Sequence, residues 1–397
     1  MTASPSTTEK GGSSLTHPRP AGLEDARAGA TGREIAQQPD VWRQVAVDTR
    51  QRRETVDAFL SPLLARDDLR IVLTGAGTSA FVGELLAPAL TRELHRRVEA
   101  VATTDIVSNP AEAFAEDVPT LLVSFARSGD SPESVAATVL ADRVLTSVHH
   151  LIVTCNDSGE LARVHGSAHR SLVLLMPPQT HDEGFAMTSS FTSMALATWL
   201  ALVPEARGLD VVDRVADAGA AVLRDRGHAV AELAARGYGR VVYLGSGPLT
   251  GLARESALKV LELTAGAVVS YFDSSLGFRH GPKSVIDGGS LAVVYLSNDP
   301  YTRQYDEDIA IELRQQMSPE NVVVLQAAPS DRVTDTWTVP ALDEAPDVLV
   351  ALPYVLVAQL FALDSSLALG LVPDSPSPSG QVNRVVKGVT VHPYDGR

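Results

Sequence analysis

Three charged residues in one predicted helix have the spacing of a proton-transfer site. Glu255, Lys259 and Glu262 lie four and three positions apart in a segment predicted to be helical over residues 250–265, so their side chains project from one face. If this face is exposed, Glu255 and Lys259 form an ordinary surface pair worth roughly 0.2–0.5 kcal/mol. If it is buried, the pKa of a carboxyl group there rises toward neutrality and the group can shuttle a proton. Both interpretations fit the sequence.

A second candidate for acid and base chemistry is His280. It lies in the loop Phe278-Arg-His-Gly-Pro-Lys283, where neither helix packing nor strand packing requires a histidine. A free imidazole titrates near pH ~6.5, which suits the opening of a cyclic hemiacetal by general acid and base transfer. A plain surface histidine is the alternative, since loops run over protein surfaces.

A hydroxyl-rich loop follows a predicted buried strand and precedes a helix near Pro132. In this loop, backbone N–H groups, hydroxyls and a helix N-terminus can all point at one anion, and phosphate is the anion that we expect. The residues concerned are Arg127, Ser128, Gly129 and Ser131. The alternative is a serine N-cap with proline at the first helical position, a common stabilising arrangement. The neighbouring strand-turn-helix unit ends in hydroxyls that favour the anion site, namely Thr78 and Ser79.

The sequence predicts neither a metal nor an organic cofactor. Histidine pairs such as His165 with His169 have no further ligands at metal-binding spacing. The turn Gly75-Ala-Gly77 begins like a dinucleotide-binding turn, but Ala80 occupies the place of the third glycine and no acidic residue ends the next strand.

These residues belong to one pattern that occurs twice. The segment Ile71-Val-Leu-Thr-Gly-Ala-Gly77 matches Val241-Val-Tyr-Leu-Gly-Ser-Gly247, and the step from Gly75 to Gly245 equals the step from Leu121 to Leu291. Short apolar, β-branched runs alternate with helical periodicity in each copy, as a parallel sheet with crossover helices requires. We therefore predict an α/β protein made of two similar domains.

The domain boundaries follow from composition. Residues 1–32 are poor in large apolar side chains and are predicted to be a disordered tail, because burial could not offset the entropy of ordering them. Further along the chain we predict four regions. They are lead-in helices over 33–64, a first domain over 65–209, a second over 210–372, and a C-terminal loop and tail over 373–397.

Composition restricts the partners and the compartment. The 397 residues carry a net charge of -15, which disfavours nucleic acid and acidic membranes, and we expect neither as a partner. Cys155 is the one cysteine, so no disulfide can form within the chain, and a reducing compartment fits. The longest apolar stretch, Val348 to Leu363, is shorter than the ~20 residues of a membrane span. We expect a cytoplasmic protein.

Four ordered motifs carry a family resemblance. The chain resembles the double sugar-isomerase (SIS) family, in its AgaS branch of galactosamine-6-phosphate deaminases and tagatose-6-phosphate ketose/aldose isomerases. The motifs are Ser124-Phe-Ala-Arg-Ser-Gly-Asp-Ser-Pro-Glu-Ser134, Phe185-Ala-Met-Thr-Ser-Ser-Phe191, Glu255-Ser-Ala-Leu-Lys-Val-Leu-Glu262 and Leu276-Gly-Phe-Arg-His-Gly-Pro282. The resemblance implies two tandem SIS domains, each a flavodoxin-like sandwich of a parallel sheet between helices.

The resemblance also implies roles for individual residues. Glu262 would carry the proton between C2 and C1, His280 would open the sugar ring in the partner's site across a dimer, and Lys387 would approach the C1 or C2 substituent. The family likeness implies substrate contacts for a set of mostly hydroxyl-bearing residues: Thr78, Ser79, Ser128, Ser131, Thr188 and Ser189. To these we add Arg127 from the loop and Glu255, which near C2 would favour an ammonium-bearing substrate.

The implied function is a cofactor-independent enzyme, a hexosamine 6-phosphate deaminase that forms a ketose 6-phosphate and ammonia, working as a homodimer with shared active sites. The same proton transfer on a 2-hydroxy sugar is aldose–ketose isomerisation. A deglycase of ketosamine 6-phosphates and a non-catalytic sugar-phosphate sensor are further alternatives. The residues leave the epimer at C4 undetermined.

Overall fold

Two parallel five-stranded sheets form the framework. The computed structural model describes residues 21–377, 383–384, 386 and 388–396, and all strand and helix bounds refer to these residues. The first sheet contains β1 (Arg70–Thr74), β2 (Val98–Ala100), β3 (Thr120–Ala126), β4 (Val148–Thr154) and β5 (Ser171–Leu175). The second contains β6 (Arg240–Leu244), β7 (Val269–Asp273), β8 (Ser290–Tyr295), β9 (Val322–Gln326) and β10 (Trp337–Thr338). The strand orders are β2-β1-β3-β4-β5 and β7-β6-β8-β9-β10, one doubly wound topology used twice.

Helices connect the strands and fill both sides of each sheet. Those of the first half are α1 (Ala21–Glu24), α2 (Gly29–Ala36), α3 (Gln38–Gln51), α4 (Arg53–Leu64), α5 (Thr78–Leu94), α6 (Thr103–Ser108), α7 (Pro110–Ala113), α8 (Pro132–Val144), α9 (Glu160–His165) and α10 (Ser189–Leu202). Those of the second half are α11 (Leu209–Ala235), α12 (Pro248–Leu263), α13 (Pro300–Gln316) and α14 (Asp347–Ala368). The predicted α/β class is confirmed.

The internal repeat has the predicted register. Ile71 of β1 lies opposite Leu121 of β3, and Val241 of β6 lies opposite Leu291 of β8. The pairing of β1 with β3 therefore has the same register as the pairing of β6 with β8. The turns after β1 and β6 consequently occupy corresponding positions on the two sheets. We call the half around the first sheet the first lobe and the half around the second sheet the second lobe.

The two lobes share one hydrophobic core. Because side chains alternate across a strand, Ile71 and Leu73 of β1 point to one face, and Val241 and Tyr243 of β6 do the same in the second lobe. These four residues belong to one continuous cluster, whereas the intervening Val72 packs in a separate cluster on the outer face. Helices α3, α5, α10, α11, α12 and α14 supply the shared layer.

Helices α5 and α12 make a close contact between the lobes. At Gly251 of α12, a Cβ atom would lie 2.5 Å from the backbone nitrogen of Leu85 on α5. Only glycine fits there without moving a helix backbone. Arg254 strengthens the contact through an ion pair with Glu84 and by stacking over Phe81, at 4.6 Å from the ring centre. The two helices therefore form one rigid unit.

The apolar helix α14 is a core element. It is long and apolar enough to cross a membrane by length and composition alone, but its most apolar window is entirely buried inside the molecule. It packs against both α11 and α12. Its apolarity on all sides is that of a helix surrounded by protein.

The structure corrects the predicted disordered tail over residues 21–32. These residues form α1, a short turn and the start of α2. The carboxylate of Asp374 accepts hydrogen bonds from the backbone nitrogens of Ala30 and Thr31, both at 2.8 Å, and from the Thr31 hydroxyl at 2.7 Å. Local composition cannot indicate order that comes from a partner so distant in sequence. Residues 1–20 lie outside the described residues, and the other domain boundaries stay predictions.

Candidate active site

Lys259 is the centre of a buried charged cluster. Its Nζ donates to Glu262 Oε2 at 2.6 Å and to Thr78 Oγ1 at 3.0 Å, and lies 3.4 Å from Glu255 Oε1. The side chains of Lys259 and Glu255 are fully buried, whereas Glu262 keeps 25% of its side chain exposed. Glu262 is therefore the member of the cluster that a ligand can reach.

The fold explains why residues from both lobes meet here. The chain leaves β1 through a tight turn in which Gly77 has a φ of +56°, and α5 begins at Thr78 without a side-chain cap. The packing of α12 on α5 brings the face that carries Lys259 against Thr78. In open α/β sheets, ligands bind outside the carboxyl ends of the strands, which is where this cluster lies.

Burial and charge shift the pKa values in this cluster. Burial raises the pKa of Glu255 to about 8, with Glu262 adding to the rise and Lys259 opposing it. Burial alone would lower the pKa of Lys259, but the two neighbouring carboxylates outweigh it and raise that pKa. Lys259 is thus a permanent cation between two carboxyl groups, of which Glu255 holds a proton more readily than an exposed glutamate does.

The predicted anion loop has the geometry of a cradle. Gly129 has a φ of +72°, and Ser131 precedes α8 without a side-chain hydrogen bond to that helix. The loop is held from behind, because Asn156 donates to the Ser128 carbonyl at 2.7 Å and the Leu161 N–H donates to the Gly129 carbonyl at 3.0 Å. A helix N-terminus without a capping side chain attracts an anion. We call residues 127–131 the first-lobe cradle.

Arg127 lies at the inner end of this cradle and is 6% exposed. Its guanidinium donates to the Arg384 carbonyl at 2.6 Å and to the Phe185 carbonyl at 3.4 Å. Burial lowers the pKa of Arg127, and Asp182 and Glu262 are close enough to oppose that shift. Arg127 therefore links the cradle, the approach to α10 and the C-terminal segment.

Thr188 and Ser189 are engaged within the protein. Both are fully buried at the start of α10, where their N–H groups donate to the buried carboxylate of Asp182 at 2.8 and 3.2 Å. The Ser189 hydroxyl donates to the Glu34 carbonyl at 2.7 Å. An internal carboxylate thus occupies the N-terminus of α10, and the substrate contacts predicted for these two residues stay a prediction.

The structure describes two of the three remaining predicted site residues. Ser79 is nearly buried beside Thr78, with its hydroxyl 3.9 Å from the sulfur of Met187. His280 is exposed on the single chain, after a short turn anchored by the buried Phe278. Lys387 lies outside the described residues, so its role stays a prediction.

Sequence reasoning missed the importance of Lys259 and Asp182. The spacing of Lys259 from two glutamates indicated a shared face, but only the packing shows that this face is buried. No local signal marks Asp182. In the part of the chain that the structure describes, no three histidine, cysteine or acidic side chains come together as metal ligands.

Comparisons with known proteins show which family the chain resembles. The SIS domain family matches residues 63–204. The chain is 45% identical, over 92% of its length and 97% of the relative's, to the D-galactosamine-6-phosphate deaminase AgaS of Escherichia coli. It is 57% identical, over 93% of its length and 96% of the relative's, to a Streptomyces coelicolor protein that carries the same name as a proposed assignment.

A solved structure matches the whole fold. The tagatose-6-phosphate ketose/aldose isomerase from Escherichia coli has a TM-score of 0.86 and 41% identity, over 96% of this chain and 100% of that one. The glucosamine-6-phosphate deaminase of Thermotoga maritima, at 19% identity and a TM-score of 0.65, shares the fold.

Proposed function

The chain belongs to the AgaS family of SIS-domain proteins, and we propose that it is a hexosamine 6-phosphate deaminase that converts D-galactosamine 6-phosphate to tagatose 6-phosphate and ammonia. The chain covers 97% of a relative with this name at 45% identity, which supports assigning the same activity to it. We place the reaction in the cytoplasm and expect no metal or organic cofactor to take part.

One observation carries the proposal. The carboxylate of Glu262, partly exposed, is held at 2.6 Å by a buried lysine that also contacts Thr78 at the mouth of the first lobe. The proton-transfer group on the second lobe therefore lies beside the lobe that carries the anion cradle. We place the substrate phosphate on Ser128 and Ser131, with Thr78 and Ser79 near the sugar.

The chemistry follows from this placement. Glu262 takes the C2 proton of the open-chain amino sugar while the C2 ammonium group gives a proton to the C1 oxygen, which gives an enolamine. Return of the proton to C1 gives a C2 iminium, to which water adds, and ammonia then leaves to give the ketose phosphate. Lys259 keeps the carboxylate oriented throughout, since it donates to both Glu262 and Thr78. Lys387 remains our candidate for the C1 or C2 substituent.

The test is a panel of substrates with ammonia and ketose measured separately. We expect ammonia from galactosamine 6-phosphate, and Glu262→Gln should lower kcat by about 1000-fold, because the amide cannot accept the proton. Phosphate-dependent binding of the sugar, measured by calorimetry, should persist in that variant. Unchanged ammonia release by Glu262→Gln would refute the proposal.

Aldose–ketose isomerisation is the second candidate. The solved relative at 41% identity is named as a tagatose-6-phosphate ketose/aldose isomerase, and the same proton transfer serves a 2-hydroxy sugar. Ketose formation from a neutral hexose 6-phosphate, with no ammonia from amino sugars, would favour it over deamination.

We propose in addition that two chains form a homodimer with shared sites. The support is His280, a candidate ring-opening group that is exposed on a loop of the single chain. Mixed dimers of two inactive variants, Glu262→Gln and His280→Asn, should then regain about a quarter of the wild-type activity, because half of the dimers hold one intact site. No regain after subunit exchange, checked by native mass spectrometry, would contradict a shared site.

A further inference from the structure

We propose that Glu255 is a positioning residue that shares Lys259 with Glu262 and, by its own ionisation, controls how strongly Lys259 holds the catalytic carboxylate. The inference rests on the proposed role of Glu262. It differs from the substrate contact that the sequence predicts for Glu255.

The first argument is access. Glu255 is fully buried, and the groups that surround its carboxyl group are Lys259, Glu262 and Thr78. Its Oε1 lies 3.4 Å from Lys259 Nζ, and Lys259 is itself fully buried. Substrate can therefore reach Glu262 without meeting Glu255, so an effect of Glu255 on catalysis passes through the protein groups packed against it, of which Lys259 is the cation that it shares with Glu262.

The second argument is charge. Lys259 faces two carboxyl groups on α12, and Thr78 on α5 accepts from it without adding charge. Arg127, from the loop after β3, is the further charged group that interacts with Glu262. When Glu255 is neutral, the full attraction of Lys259 falls on Glu262 and holds that carboxylate most firmly. When Glu255 is ionised, it competes for the same cation.

The third argument is cost. Taking a carboxylate out of water is destabilising, and a neutral glutamine at position 255 would avoid that desolvation cost. Burial raises the pKa of Glu255 to about 8, so its ionisation falls close to neutral pH. A group that titrates there can alter Lys259 across the range in which an enzyme works.

The kinetic test is the pH profile of kcat. In the wild-type protein kcat should rise through a step near pH 8, as Glu255 ionises and draws Lys259 away from Glu262. Glu255→Gln should lose the step and fall about three- to tenfold below wild type at pH 9, with KM changed less than twofold. Glu255→Asp, which keeps the charge, should restore part of the step.

The matched control is Glu84→Gln. Glu84 lies on α5, is partly buried and pairs with Arg254 of α12, but it does not contact Lys259. Its replacement perturbs the same helix pair and should leave the step near pH 8 in place. A step that survives in Glu255→Gln, or is lost equally in Glu84→Gln, overturns the proposal.

A substrate-free measurement separates this inference from the proposed function. The 13C signal of the Glu255 carboxyl group, identified by its loss in Glu255→Gln or Glu255→Asp, should titrate near pH 8 in the wild-type protein. Lys259→Met should move that titration to higher pH, because the cation that opposes the rise is gone. Titration of Glu255 below pH 5 overturns the inference, whether or not the protein releases ammonia.

Discussion

The two lobes differ in how a helix begins after equivalent strands. In the first lobe α8 follows the loop after β3, and in the second lobe α13 follows the loop after β8. Ser131 precedes α8 without a side-chain bond to it. Asp299 precedes α13 and accepts the N–H groups of Tyr301 at 3.1 Å and Thr302 at 3.0 Å. The positive end of α13 is therefore satisfied by the protein's own carboxylate, whereas that of α8 remains available to a ligand anion.

The starts of α5 and α12 show the same difference between the lobes. Where α5 begins with Thr78, α12 begins with Pro248, which has neither a hydroxyl nor a backbone N–H. A buried carboxylate, Asp306, accepts from the Ser246 hydroxyl at 2.5 Å and from the Ser297 N–H at 3.0 Å. In the second lobe the protein's own acids thus lie where we propose a substrate anion in the first lobe, and the second lobe contributes the face of α12 that carries Glu262. One fold used twice can divide binding and proton transfer between its copies.

Asp299 caps α13, and we call it the second-lobe cap. Placing an equivalent aspartate before α8 in the first lobe should have the largest effect. In Ser131→Asp, the new carboxylate would accept the first N–H groups of α8 and repel the substrate phosphate. We expect KM for the sugar phosphate to rise by about 100-fold, with a smaller change in kcat. Steady-state kinetics measure it. Ser131→Asn caps without charge and should cost much less, so equal effects of Asp and Asn would argue against an anion at this helix.

Acid stability should also distinguish the lobes. In the first lobe the rings of His150 and His165 lie 4.7 Å apart, and burial, followed by the charge of His150, lowers the pKa of His165 to about 4. The unfolded chain takes up this proton near pH ~6.5, so stability is lost as the pH falls from about 6.5 to about 4, by about 3 kcal/mol. His165→Asn should flatten this loss in urea unfolding at pH 7, 5.5 and 4.5.

In the second lobe, Asp306 makes stability depend on pH in the opposite direction. Burial raises the pKa of Asp306 to about 6, so this group contributes stability below pH ~4 that is lost as the pH rises through about 6. The loss of stability in acid that we predict should therefore come from His165 rather than from Asp306. If His165→Asn loses stability between pH 6.5 and 4 as steeply as wild type, that assignment is wrong.

The smallest expected effect is that of removing the second-lobe cap. Asp299→Ala should lower the free energy of unfolding by about 1 kcal/mol, because two N–H groups of α13 lose their acceptor. Ammonia release should be unchanged, since no substrate anion binds at this loop in our proposal. A large rise in KM would show that the second-lobe loop does contribute to substrate binding.

Much of this contrast could be predicted from the sequence. The equal steps from Gly75 to Gly245 and from Leu121 to Leu291 predict the paired registers, because strand pairing in both lobes depends on the same apolar periodicity. The loop at residues 127–131 could also be identified as a candidate anion site, because serine and glycine between a strand and a helix are typical of such sites.

The remaining features depend on contacts between distant parts of the chain. Lys259 becomes important because Thr78 of the other lobe lies 3.0 Å away. Asp182 satisfies α10 from within a loop, and Asp374 orders the start of α2. In each case the partner is fixed by packing rather than by neighbours in sequence, so periodicity and composition carry no sign of it.

The close contact at Gly251 has a consequence for which sugars react. The packing of α5 on α12 holds Glu262 in place against the start of α5, and in our proposal the substrate has to span from Glu262 to a phosphate at residues 127–131. A hexose 6-phosphate and a pentose 5-phosphate differ by one carbon over that span. If the proposed phosphate position is right, the shorter sugar would leave its second carbon short of the carboxylate, and the helix pair would select substrates by carbon-chain length.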